Sequence, residues 1–411
     1  MTDTTARAFS PSLIIALGCL IAMIAFGVRS TGGLFAVPMI EANGWNREIF
    51  GMAFAIQNLA WGIMQPIAGA FADKLGSVRV VMFGAVVYGA GVVVMALSET
   101  ALMLNLGAGI LMGIGIATTS FSIIMPAFAR LVPPEKRSWA FGMATAATSA
   151  GQLVFAPLGH AFISAFGWQT ALFLLAIFLA LIIPLVLPFR AAEGGGRHQK
   201  AVENEPEFPL PEVVKLAFGH GSFVLLVFGF FVCGFHVAFI AVHLPAYIED
   251  LGLDPSLGAW SIATIGFFNI IGAYTAGIFG SRYSKRFGLS FIYLARAFVI
   301  AIFIATPISA ASVLVFAAAM GLLWLSTIPL TIGLVTVMFG TRYMAMLYGF
   351  VFVSHQVGSF LGVWLGGRFY DQYGNYDMIW YAAIFFGIAS AIVHWPIRET
   401  LSPRFATTPA Q

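Results

Sequence analysis

The chain has 411 residues, of which 60% are hydrophobic and only 9% charged, with a formal net charge of +3. A water-soluble domain carries about a quarter of its residues charged, so this chain cannot cover a surface that faces water. Its two cysteines, Cys19 and Cys233, both lie in apolar runs, which excludes a disulfide framework and a cysteine metal cluster.

Apolar runs of about 20 residues recur from end to end, each long enough to cross the hydrocarbon layer as a helix. They predict an all-α membrane protein with twelve spans, near 12–39, 48–72, 78–97, 101–127, 138–164, 168–189, 220–247, 257–280, 288–308, 311–337, 342–369 and 377–397. The first is not a cleaved signal peptide, because Arg29 stands where a small-residue cleavage site belongs and many spans follow. Between the sixth and seventh spans, Arg190 to Lys215 is charged and rich in Gly and Pro, the composition of a flexible cytoplasmic linker. The expected division is a six-helix half over 1–190, a linker over 191–217 and a second six-helix half over 218–411.

Charge placement orients this layout. With both termini on one face, that face collects sixteen of the twenty Lys and Arg, and the opposite face only Arg47 and Arg368. The positive-inside rule makes the richer face cytoplasmic, so a multi-pass protein of the cytoplasmic (inner) membrane with both termini inside is expected, from a bacterial source. Arg29 and Arg296 remain within spans.

The two halves echo each other. "GAFADKLG" from Gly69 and "GIFGSRYSKRFG" from Gly277 each close the second span of their half, 208 residues apart. Gly142, Gly151 and Gly159 in span five match Gly349, Gly358 and Gly366 in span eleven at a constant offset of 207. Two pseudo-symmetric halves joined by a long loop are the plan of a carrier that rocks around a central site.

With these features the chain resembles the major facilitator superfamily over its full length. "GAFADKLGSVR" is similar to that family's loop between spans two and three. The resemblance implies a conformational latch built from Gly69, Asp73, Lys74, Gly76 and Arg79, with Arg130 as a partner. In it Gly69 lets helices pack closely, Asp73 supplies an anion at a helix end and Gly76 allows the turn.

Arg29 is the residue a lipid-spanning segment least explains. It lies about 16 residues into its span, roughly 24 Å of helical rise, too deep to reach the near surface. A mid-membrane Arg costs about 3 kcal/mol on insertion scales. None of the seventeen acids falls in the central part of a span, so no internal counter-ion is at hand. The reading that follows is that the substrate brings the anion, and the guanidinium fork matches a carboxylate. A competing reading pairs Arg29 with helix-end carbonyls, or with Glu41 or Glu48 through water.

"FGVRSTGGLF" followed by "EANGWNREIFGMAFAI" resembles the monocarboxylate and oxalate–formate branch of the superfamily. In that branch a basic residue at this place handles the substrate carboxylate. One departure counts: the branch has charged residues on span eight, and "WSIATIGFFNIIGAYTAGIFG" has none. This disfavours a doubly charged substrate.

Further polar side chains fall at similar depth: Gln57, Asn58, Gln152, His236, Asn269, Trp324, His355 and Gln356. Polar groups in hydrocarbon usually face the bundle interior, so all but Gln57 join Arg29 as candidate substrate-binding residues. Each also has the simpler role of a helix–helix hydrogen bond. His355 is singled out as carrier of a coupling proton, with His236 and His243 as second choices. His160, His220 and His394 are read as boundary residues, and Arg296 as structural, its long stem snorkelling to the cytoplasmic surface.

The expected function is therefore a secondary active transporter of small organic anions, most readily monocarboxylates, alternating access around Arg29. Protons or a counter-transported anion are the expected coupling partners; symport and antiport both fit. Nothing points to a cofactor, a metal or nucleic acid, and no phosphate-binding loop is present. A drug or metabolite exporter is the alternative, although span four lacks the Arg such exporters carry. A membrane-embedded enzyme would need paired acids or a His–carboxylate cluster, and the spans have neither.

Overall fold

The computed structural model describes residues 11–120, 123–124, 134–190, 209–340 and 343–402. Its described segments are helices and their short connections. Ten spans are long and apolar enough to cross a membrane. We label them with two further long helices, Arg47–Leu75 and Pro134–Phe166, to give twelve. The first half holds α1 (Ser12–Asn43), α2 (Arg47–Leu75), α3 (Ser77–Ala96), α4 (Ala101–Thr119), α5 (Pro134–Phe166) and α6 (Trp168–Phe189). The second holds α7 (Gly221–Asp250), α8 (Ser256–Arg282), α9 (Lys285–Ala305), α10 (Ala310–Phe339), α11 (Met344–Tyr373) and α12 (Asp377–His394).

Local signals explain where helices begin and end. The Asn46 side chain accepts the Ile49 N–H at 2.9 Å and so starts α2. Ser309 and Ser312 form a reciprocal cap that starts α10. Gly76, at φ +90°, makes the reversal between α2 and α3 that a side chain would strain.

Each half has its own hydrophobic core. Among the described residues the first takes in Ala238, Val242 and Ala246 of α7 and Val363 of α11, with Phe360 and Trp364 of α11 packed against it. The second takes in Ala156 of α5. The internal repeat is visible in packing: Gly151 lets α5 approach α1, and Gly358 lets α11 approach α7. A Cβ at Gly151 would lie 2.9 Å from the Gly27 nitrogen, and one at Gly358 3.2 Å from that of Phe235. The halves meet where α2 packs on α11, α5 on α8, and α1 on α7.

Three helices are interrupted where the sequence predicts continuous spans. α1 stops at Ser30, tightens into a 3-10 turn over Gly32–Phe35, and resumes at Ala36. α4 widens into a π-helix over Asn105–Leu111. α10 ends at Leu323 and restarts at Thr327. The linker expectation also needs correcting at its end. Leu210–Phe218 is a helix, with Val213 and Ala217 buried and the Phe218 ring 5.4 Å from Phe223 of α7. Its apolar spacing suits an interfacial helix better than a flexible tether. Residues 191–208 of that linker lie outside the described residues.

The halves are clamped together at the face opposite the termini. The Asp371 carboxylate of α11 accepts the backbone N–H groups of Arg47 and Glu48, at 3.0 and 2.7 Å, and so caps α2 from the other half. The Arg47 guanidinium pairs with Asp250 of α7 at 2.7 Å and lies over the Tyr370 ring at 5.0 Å. Glu48 accepts from Trp364 at 3.0 Å and meets Arg368 at 3.4 Å. Single exposed pairs contribute little, but Arg47 is only 9% exposed and its partners converge from two helices.

The α2–α11 contact continues inward to Trp61 and Phe352, whose rings are 5.3 Å apart. Beyond it, towards the termini, a Cβ at Gly69 or Gly349 would meet no atom within 4 Å. Among the described residues the halves are thus tied together at one face, and α2 and α11 stand apart at the other, the parted face, where nothing packs within 4 Å of a Cβ at Gly69. Lys74 and Arg79 are exposed, while Arg130 and the Asp73 side chain lie outside the described residues.

Replacing both acids of the clamp, Asp250→Asn with Asp371→Asn, should shift the population towards opening at this face. Spin labels at Ala42 and Tyr373 would report it as a new long-distance component; an unchanged distance distribution would argue against the clamp.

Candidate functional site

A narrow pocket lies between the halves, at the interruptions of α1 and α10. Its walls are Phe26, Arg29, Ser30, Gly32 and Gly33 of α1, Phe54, Gln57 and Asn58 of α2, and Gln152 of α5. Across from them stand Val237, Ala238, Ala241 and Val242 of α7 and Trp324 of α10. The free space is about 20 Å³, room for one water.

Arg29 occupies the last turn of the first α1 segment, where the helix dipole favours a cation. The break follows at once. The Ser30 and Thr31 hydroxyls donate to the Gly27 and Val28 carbonyls at 2.7 and 2.8 Å, closing the helix end. Gly33 then lets the turn touch α7, since a Cβ there would lie 2.8 Å from the Val242 carbonyl oxygen.

Arg29 Nη2 donates to Asn58 Oδ1 at 2.9 Å, and Asn58 Nδ2 donates to the Phe54 carbonyl at 2.8 Å. The guanidinium carbon lies 4.8 Å from the Trp61 ring centroid and 5.6 Å from that of Phe26. These are cation–π distances. Trp61 is fixed in turn, its Nε1 donating to Gln65 at 2.9 Å and Gln65 to Ser120 at 3.0 Å. Among the described residues Arg29 makes no salt bridge, and its Nε is buried without a partner.

Four of the eight polar residues expected around the substrate line this pocket: Arg29, Asn58, Gln152 and Trp324. Gln152 Oε1 is buried without a partner. The other four lie elsewhere. His236 donates from Nε2 to the Ala383 carbonyl at 2.7 Å and joins α7 to α12. Asn269 bridges Ser149 of α5 and the backbone of Leu325. His355 sits in the second half's core, its ring stacked on Phe352 and 5.2 Å from Phe230. Gln356 lies beside it, 3.4 Å from the His355 ring.

Two further expectations meet a different placement. Arg296 does not snorkel: it is fully buried and turned inward, onto the carbonyls of Leu323 and Trp324. His394 ends α12 as expected but is not open to solvent, being fully buried with its ring 2.8 Å from the Ser390 carbonyl. His243 does sit at the closed face, donating from Nε2 to Val363 of α11 at 2.8 Å.

Sequence reading missed the aromatic cradle. Trp61 lies three residues after Asn58, on the same helical face, which is the one signal that links it to Arg29. Gln57 lines the pocket but donates to the Ala108 carbonyl at 2.8 Å, which the π-helical turn of α4 presents. Chemically, the pocket offers one cation and neutral amides from the first half, and an apolar wall from the second. Among the described residues no group of His, Cys, Asp and Glu side chains could hold a metal ion.

Comparison with known proteins agrees with this architecture. The chain is 27% identical over 380 residues to an uncharacterized MFS-type transporter, YcxA of Bacillus subtilis, covering 89% of this chain and 90% of that one. It is 27% identical over 371 residues to monocarboxylate transporter 13 of Rattus norvegicus, covering 86% and 81%. It is 24% identical over 407 residues to the oxalate:formate antiporter of Oxalobacter formigenes, covering 97% and 92%. In fold it is similar to a bacterial homolog of the human lysosomal transporter Spinster, crystallised inward-facing and unoccupied, with a TM-score of 0.70. That match has 15% identity and covers 96% of this chain and 99% of the other. The family model described as the Major Facilitator Superfamily matches residues 17–363. This multi-pass membrane transporter therefore belongs to the Major Facilitator Superfamily.

Proposed function

We propose that the chain is a secondary active carrier of small monocarboxylates, with Arg29 holding the carboxylate. The observation that carries the reading is a guanidinium at the meeting point of the halves, with no acidic partner among the described residues. Removing a cation from water is costly unless an anion or dipoles compensate. Asn58 and two aromatic rings compensate in part, and a bound carboxylate completes the set through a charge-assisted hydrogen bond.

The wall composition supports a single negative charge. Among the described residues Arg29 is the only charged one lining the pocket, and the facing wall from α7 and α10 is apolar. A monocarboxylate sets its charge on the first half and its carbon chain on the second. A dicarboxylate would leave its second charge against Val237, Ala238 and Trp324. The rat monocarboxylate transporter and the oxalate:formate antiporter, by their names, both act on carboxylates.

Transport proceeds by exchanging the closed face. The clamp around Arg47 opens while the parted face closes on the Gly69–Arg79 loop, with Asp73 and Arg130 completing that latch. Positive-inside charge placement makes the parted face cytoplasmic, in a bacterial inner membrane with the linker and both termini inside. Coupling is by a proton arriving with the acid, or by a counter-transported anion. His355 and His236 lie off the pocket, so neither is needed to hold the substrate.

Arg29→Ala should lower uptake of labelled lactate, pyruvate or formate into reconstituted vesicles at least about 100-fold, while the purified variant keeps its helical content. Arg29→Lys should retain a measurable fraction, because it keeps the charge but loses the planar fork. Undiminished uptake by Arg29→Ala would sink the reading.

A thermal-shift panel should show stabilisation of the wild type by monocarboxylates and little by oxalate or succinate, since a ligand raises stability in proportion to its binding. Equal shifts with the dicarboxylates would reject the single-charge site.

A further inference from the structure

We propose that Arg296, with Asn269, holds open the interruption of α10 that seats Trp324 against the Arg29 pocket. Arg296 is then a positioning residue for the carrier's site; the inference rests on that pocket being the substrate site.

The interruption spans Trp324, Leu325 and Ser326, between helical residues Leu323 and Thr327. An unwound turn inside a membrane leaves carbonyls and N–H groups without their helical partners, and each must be satisfied by protein. Here side chains satisfy four of them, while the Trp324 N–H and the Leu325 carbonyl keep backbone partners. Arg296 of α9 donates from Nε and Nη2 to the Leu323 carbonyl, at 3.2 and 2.6 Å, and from Nη2 to the Trp324 carbonyl. The Ser326 hydroxyl donates to the Leu322 carbonyl at 2.6 Å. Asn269 Oδ1 of α8 accepts the Leu325 N–H at 2.9 Å.

Charge makes the arrangement selective. A helix C-terminus carries partial negative charge, and a cation placed on its last carbonyls is favoured. Arg296 is fully buried and, among the described residues, forms no salt bridge. Its Nη2 also reaches Cys233 of α7 at 3.7 Å. The cation therefore depends on the broken helix end, and the broken end depends on the cation. A continuous α10 would direct both carbonyls to its own N–H groups and leave Arg296 only the Cys233 sulfur.

Two links carry this break to the site. Trp324, 1% exposed, is the α10 residue in the pocket wall. Asn269 Nδ2 donates to Ser149 of α5 at 2.8 Å, tying the break to the other half. Substrate contact with Trp324 and relative movement of the halves thus act on the same three residues.

The test reads Trp324 directly. Emission spectra of the purified protein in lipid nanodiscs are taken with and without Trp324→Phe, and the difference isolates that side chain. In Arg296→Met the Trp324 component should shift to the red by at least about 5 nm, because the ring loses its seat. Arg296→Lys, which keeps a cation for one carbonyl, should restore most of the wild-type position. A folded Arg296→Met with unchanged Trp324 emission overturns the proposal. Where that variant fails to fold, Asn269→Ala decides, with the same red shift expected and an unchanged spectrum overturning it. The emission needs no substrate, so it separates the two readings. Normal pyruvate uptake by Arg29→Ala removes the site and leaves the spectral result standing. Loss of uptake there with a silent Arg296→Met spectrum removes only the α10 device.

Discussion

A hydrocarbon environment leaves no water to satisfy a backbone group, so any interrupted helix in the membrane must find its hydrogen bonds in other side chains. The architecture of this transporter follows from how that demand is met around its centre. α1 breaks after Arg29 and is closed by the Ser30 and Thr31 hydroxyls. α4 widens, and Gln57 takes up its Ala108 carbonyl. α10 breaks at Trp324 and is held by Arg296, Asn269 and Ser326. Two of these interruptions line the pocket, and the third is tied to it through Gln57.

The two deep arginines divide one problem between them. Both are cations removed from water, and neither has a carboxylate among the described residues. Arg296 donates from two of its nitrogens to carbonyls of a broken helix end, with Nη1 left without a partner. Arg29 has one amide partner and two aromatic neighbours. The two thus differ in their surroundings: Arg296 sits on backbone carbonyls, Arg29 among one amide and two rings.

Asymmetry between the two faces sets the conformational state. At one face, Asp371 caps a helix of the other half while Arg47 and Glu48 pair across the interface. At the other, the α2–α11 contact ends at Trp61 and Phe352, close to Arg29. The aromatic cradle of the cation therefore lies at the Trp61–Phe352 contact between the halves.

The amino-acid sequence by itself determined the twelve-helix plan, the repeat and the unusual position of Arg29. Hydrophobic run length, charge sidedness and constant glycine offsets are one-dimensional quantities, and the bilayer converts them directly into topology. Gly151 and Gly358 make equivalent helix contacts because that repeat is real in space. Depth within a span was legible too, which is why Asn58, Gln152 and Trp324 were expected beside Arg29. Direction around the helix was not. His236, Asn269 and His355 have the right depth but face α12, the α10 break and α7, because helices apolar on every side give no stripe from which to read rotation. Arg296 shows the same limit: its stem is long enough to reach the surface, and only the packed fold, by presenting two free carbonyls nearer than water, decided that it turns inward.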